Sequence, residues 1–285
     1  MIIVVDALNR HLFQDLLSEM HALRARVFQD RLGWNVSVKD GKEIDEYDNL
    51  NPAHVICLDD EGDVVGCMRL LQTTGPHMMA DVFSAILDGE PPLRSAQIWE
   101  ATRFCVDTQK LKGKTTRNSI SYVTTEVMIG AFEFAQKAGV LDAVAVIDPV
   151  MNRVMIRSKN APYDYLGSTK QMGKVKAMAA LMDCSDERIK GLRDFASIHH
   201  DVFASDQEAL DSFNARPAAQ PTDFHEKEAF DMAQADKVPT LRDLQNYCNE
   251  QIAEANTEEG RQAAYALQLE LAELLRGPSR LHCDA

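Results

Sequence analysis

The chain has 285 residues, 45% hydrophobic and 26% charged, with a formal net charge of −14. That is enough apolar material for one large domain, or one domain with an extension, and the acidic balance argues against general nucleic-acid binding. No apolar run approaches the ~20 residues of a membrane span, and six scattered cysteines without a Cys-x-x-Cys (Cys57, Cys67, Cys105, Cys184, Cys248 and Cys283) read as reduced cytoplasmic thiols, neither a disulfide framework nor a metal site.

Residues 1–5 are apolar, end at Asp6 and have no basic lead, so they read as a first strand and not a signal peptide. Leu12, Leu16, Met20, Leu23 and Val27 recur at spacings of three and four. This predicts an amphipathic helix over residues 8–30, with Arg24 and Phe28 on one face. Residues 33–52 are rich in Gly, Asp and Asn and have no period, which predicts a long loop of the kind that is often functional. Strands are expected over 53–59 and 63–71, joined at the hairpin signal Asp59-Asp60-Glu61-Gly62. A short helix is expected over 78–88, stopped by Gly89 and Pro91-Pro92, and a buried strand over 96–106. A long helix follows over 115–138, with Thr115 or Thr116 as N-cap and Gly139 at its C-terminal end. Residues 141–147 form an apolar strand, Pro149 opens a helix to about Lys159, and 163–167 and 172–182 are the final strands. The result is an α/β (α+β) fold, a mixed sheet with helices on its faces.

The C-terminal part has a different character. Residues 216–221 read as a linker, and Thr240 and Thr257 each cap a helix with a single apolar stripe. The expected division is a domain over 1–200 and an acidic helical hairpin over 201–285, which holds 17 acidic and 7 basic side chains. The hairpin suits packing onto the main domain or a homodimer contact.

A set of charged and aromatic residues stands out within the first 103 positions: Arg24, Phe28, Trp34, Glu43, Asp45, Asp48, Arg69, Glu100 and Arg103. They fall in strand or strand-edge segments, where isolated charges are costly unless they bind something or pair. A carboxylate partly desolvated at the position of Glu100 has a raised pKa and can act as a general base. Arg24, Arg69 and Arg103 offer forks to carboxylates. Phe28 and Trp34 can hold a sulfonium or an adenine ring, and Asp45 and Asp48 suit an amine or ribose hydroxyls. Bracing of the loop by Arg–Asp pairs and a core role for Trp34 are the alternatives at this stage.

Order and spacing narrow these choices. Arg24-x3-Phe28-x5-Trp34, Glu43-x-Asp45-x2-Asp48, Gly66-Cys67-Met68-Arg69-Leu70, Thr73-Thr74-Gly75-Pro76, Phe83 and Trp99-Glu100-x2-Arg103-Phe104 follow one another in the chain. The pattern resembles the acyl-homoserine-lactone synthases, the LuxI-type autoinducer synthases of quorum sensing, over residues 1 to about 190. The resemblance implies a GNAT-like fold. It also implies a reaction in which the amine of S-adenosylmethionine, a substrate and not a cofactor, takes an acyl group from an acyl carrier protein or from coenzyme A. The methionyl carboxylate then closes on its own side chain, releasing methylthioadenosine and the lactone.

By position, the resemblance implies Glu100, Arg103 and Arg69 as catalytic residues. Arg24, Phe28, Trp34, Asp45, Asp48, Arg103, Phe104 and Val106 would contact S-adenosylmethionine, and Met79, Phe83, Ile98, Met128, Phe132 and Val146 would line the acyl pocket. Nine Lys/Arg against four acids in residues 151–193 form a basic face on an acidic chain. There, Arg153, Arg157 and Lys159 are the expected docking residues for an acidic carrier protein, with Lys110, Lys112, Lys114 and Arg117 as a second group. Lys110-x-x-Gly113-x-Thr115 is a weakened version of the acetyltransferase pyrophosphate loop and favours a carrier protein over free coenzyme A. The rival readings are a coenzyme A-dependent N-acyltransferase on another amine and a non-catalytic binding module.

Overall fold

The computed structural model describes residues 1–114, 116–172 and 175–216. The linker beyond Arg216 and the helical hairpin with its homodimer surface lie outside the described residues. Seven strands form one mixed sheet in the order β1-β4-β5-β6-β7-β9-β8. They are β1 Ile2–Val5, β4 Ala53–Leu58, β5 Val64–Gln72, β6 Ile98–Val106, β7 Asp142–Ile147, β8 Asp164–Met172 and β9 Val175–Asp183, and a separate small hairpin joins β2 Val38–Lys39 to β3 Lys42–Glu43. Every neighbouring pair is antiparallel except β6 and β7.

Both faces of the sheet are covered, so its strands are apolar on both sides. On β7, Ala143, Ala145 and Ile147 join the cluster under α3 (Ile120–Lys137) and α5 (Asp186–Ala196), while Val144 and Val146 belong to a cluster on the opposite face. That opposite face is covered in two patches. α1 (Gln14–Ala25) packs Leu16, Leu17, Met20 and Leu23 over β1, β4 and β5. α2 (Met78–Asp81) and a 3₁₀ turn, Ser84–Leu87, pack Met79, Ile86 and Leu87 over β7 and β9. α4 (Pro149–Arg157) buries only Met155, and α6 (Asp206–Ala215) buries Ala209 and Phe213 against the α1 cluster.

Several expected elements differ in the structure. The helix expected over 8–30 begins at Gln14, because Asn9 occupies the backbone before it: its Oδ1 accepts from Asp6 N–H and its Nδ2 donates to the Val4 carbonyl. It then widens into a π-helical turn, Arg26–Arg31. The long loop contains the β2–β3 hairpin and a 3₁₀ turn, Glu46–Leu50. The helix expected over 78–88 is α2 plus the separate 3₁₀ turn. The long helix is capped by Ser119, whose hydroxyl accepts from Tyr122 N–H, and not by a threonine. α5 and α6, capped by Ser185 and Ser205, were not anticipated from the sequence. The compact unit runs from Met1 to Arg216, and residues 202–204 cover the outer edge of β1: Ile2 N–H donates to the Val202 carbonyl and Ala204 N–H to the Ile2 carbonyl. Among the described residues no helix is long and apolar enough to cross a membrane.

Candidate active site

The parallel strands β6 and β7 pair only across Ile98↔Asp142, Trp99↔Ala143 and Glu100↔Val144, although β6 continues to Val106 and β7 to Ile147. Beyond Glu100 the two strands part, and the sheet forks at that residue. Ile98, Glu100 and Thr102 alternate onto the face that carries α1 and α2. The register between β5 and β6 then shifts, with Arg69 opposite Thr102 and Cys67 opposite Cys105, so β6 carries one extra residue there. Arg103 sits in this bulge with φ +54. Such a backbone costs about 1–3 kcal/mol in a non-glycine residue and persists where surrounding bonds hold it.

Those bonds form an ion-pair lattice. Arg24 Nε donates to Glu43 Oε2 at 2.5 Å, and its two terminal nitrogens donate to Asp48 at 2.8 and 2.9 Å. Arg69 forks onto Asp45 at 2.5 and 3.0 Å, reaches Asp48 at 3.0 Å and donates through Nε to Thr102 Oγ1. Arg103 bridges Glu43 at 3.0 Å and Asp45 at 2.6 Å. Three guanidinium groups thus meet three carboxylates, and Arg24, Glu43 and Arg69 are buried to 1% exposure or less. Burial alone would raise the Asp48 carboxyl, but its bonds to Arg24 and the neighbouring Arg69 hold it well below the usual carboxylate range. Burial likewise opposes the Arg24 charge, and Asp48 and Glu43 outweigh it, so the guanidinium is held above its usual range. Asp45 and Asp48 also form the reciprocal cap of the 3₁₀ turn, and this fixes the loop that carries them.

Glu100, on β6, is fully buried. Its two oxygens accept from the main-chain N–H groups of Met78 (2.8 Å) and Met79 (2.5 Å) at the start of α2. Burial pushes the Glu100 carboxyl up, and the two N–H bonds pull it back only in part. Met78 ties the two groups together, since its sulfur lies 3.3 Å from Arg69 Nη2 and 3.4 Å from Arg103 Nη1. Arg103 lies over the Phe28 ring at 5.7 Å, and Phe28 stacks on Trp34 with centroids 5.2 Å apart and planes 17° apart. The π-helical turn produces this stack: Leu32 N–H reaches back to the Val27 carbonyl and Trp34 N–H to the Phe28 carbonyl. Phe28 is buried and Trp34 is 40% exposed, so one flat face stands at the rim.

The structure brings Arg24, Phe28, Trp34, Asp45, Asp48, Arg69, Glu100 and Arg103 into one connected site, with Phe104 and Val106 following on β6. The expected acyl-pocket residues fall in two places. Met79, Phe83, Ile98 and Val146 share the cluster beside Glu100, whereas Met128 and Phe132 are carried by α3 on the opposite face of the sheet. Arg153 and Lys159 are exposed at α4 and just beyond it, and Arg157 is half-buried. Of the second basic group, Lys110 pairs with Asp63, and Lys114 pairs with Glu61 at 2.6 Å and Asp59 at 3.6 Å, so the β4–β5 turn neutralises their charge. Glu43, expected as one member of an ion-pair lattice, is the shared partner of Arg24 and Arg103, whereas His54 behind Asp48 and His77, next to Met78, are site neighbours that the sequence pattern did not assign roles.

Comparison with known proteins agrees with this geometry. Residues 9–192 match the family described as autoinducer synthase. An acyl-homoserine-lactone synthase from Agrobacterium fabrum is 34% identical over 167 residues, which cover 59% of this chain and 78% of that protein. The crystal structure of the acyl-homoserine-lactone synthase LasI superposes with a TM-score of 0.59 and 33% identity, over 68% of this chain and 95% of LasI. The coenzyme A-dependent synthase BjaI, solved with S-adenosylmethionine and isopentyl-CoA, superposes with a TM-score of 0.62 and 25% identity, over 75% of this chain and 98% of BjaI. The forked mixed sheet is the GNAT-like architecture of these synthases. The chain belongs to the autoinducer synthase family and is an acyl-homoserine-lactone synthase.

Proposed function

We propose that the acyl donor is an acyl carrier protein, that the amine of S-adenosylmethionine attacks its thioester with Glu100 as general base, and that lactonisation then releases methylthioadenosine. The observation that carries this reading is the place of Glu100: a fully buried carboxylate at the fork of the sheet, linked through Met78 and Arg103 to an exposed aromatic face. Burial raises the Glu100 carboxyl above its usual range, the direction that strengthens a carboxylate as a base. Phe28 and Trp34 offer the adenine or sulfonium a stacking and cation–π surface. Asp45, Arg103 and the β6 backbone from Phe104 to Val106 border it, and Arg24, Glu43, Asp48 and Arg69 brace it. Met79, Phe83, Ile98 and Val146 form an apolar wall for the acyl chain. Exposed Arg153 and Lys159, with apolar Val150 and Ile156 also exposed on α4, suit an acidic carrier protein. Neutralised Lys110 and Lys114 weigh against a pyrophosphate cradle. A cytoplasmic setting fits the four buried thiols of the described residues, none of them in a disulfide. The likeness to BjaI favours coenzyme A as a second reading of the donor.

The test supplies S-adenosylmethionine with either acyl carrier protein or coenzyme A thioesters of matched chain length and follows lactone and methylthioadenosine by mass spectrometry. Faster turnover with the carrier protein is expected, as is a raised KM for that donor alone when Arg153 and Lys159 are reversed in charge. Equal or faster turnover with acyl-coenzyme A selects the second reading. Glu100→Gln lowers turnover by ~10²–10⁴, the usual size of a general-base contribution, and near-wild-type lactone formation by this variant removes Glu100 from the role.

A further inference from the structure

Met78 opens α2 and sets its thioether between two guanidinium groups. The sulfur lies 3.3 Å from Arg69 Nη2 and 3.4 Å from Arg103 Nη1. The other nitrogens of these arginines meet oxygen. Arg69 Nε donates to Thr102 and its Nη1 to Asp45 and Asp48, and Nε and Nη2 of Arg103 serve Glu43 and Asp45. Among the described residues, the acceptor of Arg103 Nη1 is the Met78 sulfur. A thioether is a weak acceptor, whereas the guanidinium fork matches a carboxylate, to which its bonds are short and strong. Two charged donors therefore converge on a buried atom that uses little of what they offer. The side chain that carries this atom is also easy to displace. α2 is a single turn, Met78–Asp81, too short to hold itself. Methionine is unbranched and adaptable, and Met78 packs in a small cluster with Tyr47 and Leu71, apart from the main core.

S-adenosylmethionine brings a carboxylate of the kind these donors suit. Its amine and carboxylate share one carbon, so a carboxylate seated at this sulfur brings the amine beside Met78, whose N–H holds Glu100 Oε2 at 2.8 Å. The lattice already balances Arg24, Arg69 and Arg103 against Glu43, Asp45 and Asp48, and an amino-acid end that carries both charges leaves that balance intact. Resting on the reading of this site as the S-adenosylmethionine site, we propose that Met78 is a specificity-determining residue whose thioether stands in for the substrate carboxylate on Arg69 and Arg103 in the free enzyme and yields those donors when the substrate binds. The exchange gives the site a preference. A ligand with the amino-acid carboxylate trades a weak acceptor for a strong one. A ligand without it leaves the sulfur in place. Methylthioadenosine, the leaving product, lacks the carboxylate, so the arginines return to Met78 as the lactone forms.

Calorimetry with S-adenosylhomocysteine and methylthioadenosine tests this, because the first keeps the amine and carboxylate and the second has neither. Met78→Leu conserves volume and deletes the sulfur, so Arg69 Nη2 and Arg103 Nη1 lose that acceptor in the free enzyme. Expected is a Kd for S-adenosylhomocysteine about two- to tenfold lower, the size of one net hydrogen bond, with methylthioadenosine unchanged. Met78→Gln puts a strong oxygen acceptor near the place of the sulfur. It should weaken S-adenosylhomocysteine by a similar factor, again with methylthioadenosine unchanged. A merely structural role would lower the melting temperature of both variants and change both ligands alike. Equal changes for the two ligands, or a Kd for S-adenosylhomocysteine that stays put or moves the same way in both variants, overturn the proposal. If one variant does not fold, the other decides by the sign of its change. Wild-type protein that binds neither ligand sinks the reading of the site and the proposal with it. Wild-type protein that binds both, with variants that do not separate them, sinks the role of Met78 alone.

Discussion

At the scale of single residues, the site rests on buried charges that hold one another. Each carboxylate of the lattice serves two arginines, and each arginine meets two carboxylates. Removing one partner strands a buried charge, which typically costs about 3–5 kcal/mol. His54 stands behind this arrangement, its Nε2 3.9 Å from Asp48 Oδ1. Burial pushes its imidazole down to about 3, with nearby Arg24 and His21 acting in the same direction and Asp48 opposing them. The unfolded chain therefore binds a proton at His54 that the folded chain excludes, so this residue makes stability fall as pH drops from ~6.5 toward about 3. Its share of the slope is at most ~1.4 kcal/mol per pH unit. His54→Gln should flatten the fall in denaturant-measured stability across that window. An unchanged slope would show that the acid sensitivity comes from other groups.

At the scale of elements, close backbone contacts set the geometry around the fork. β8 carries a bulge between Leu166 and Lys170, and inside it Gly167 adopts φ +56 against the 3₁₀ turn Ser84–Leu87. A Cβ at Gly167 would lie 1.9 Å from the Ile86 carbonyl oxygen. The turn that packs Ile86 and Leu87 beside Met79 is thus seated directly on the edge strand. Gly167→Ala should cost more than ~2 kcal/mol through a forced backbone shift and an unfavourable φ together. It should also disturb lactone synthesis through Met79. A melting temperature within a degree of wild type would mean that the turn can lift away without consequence.

At the scale of the whole molecule, the compact unit extends past the boundary expected at residue 200. Residues 202–204 close the edge of β1, and Phe213 enters the core under α1. A chain ended at 200 loses both and exposes the first strand as an unpaired edge. It should melt well below a chain ended at 216, since losing a buried phenylalanine alone costs about 3–5 kcal/mol. Equal melting temperatures for the two would show that α6 adds nothing to the core.

The sequence by itself determined the elements whose order is local. The apolar runs of β4–β7, the period of the long helix and the ordered polar and aromatic set are all written at short range, and they were enough to point to the family. Glu100, Arg69 and Arg103 stood out because charges on apolar strands are rare. Tertiary structure alone decided what those charges do. The bulge that re-aims Arg103, the parting of β6 and β7 at Glu100, and the pairing of Arg24 with Glu43 and Asp48 join residues 19 to 60 positions apart. No local propensity encodes such pairings. The π-helical turn and the two arginines on the Met78 sulfur were equally invisible, because each depends on which hydrogen-bonding groups the folded neighbours leave unpaired.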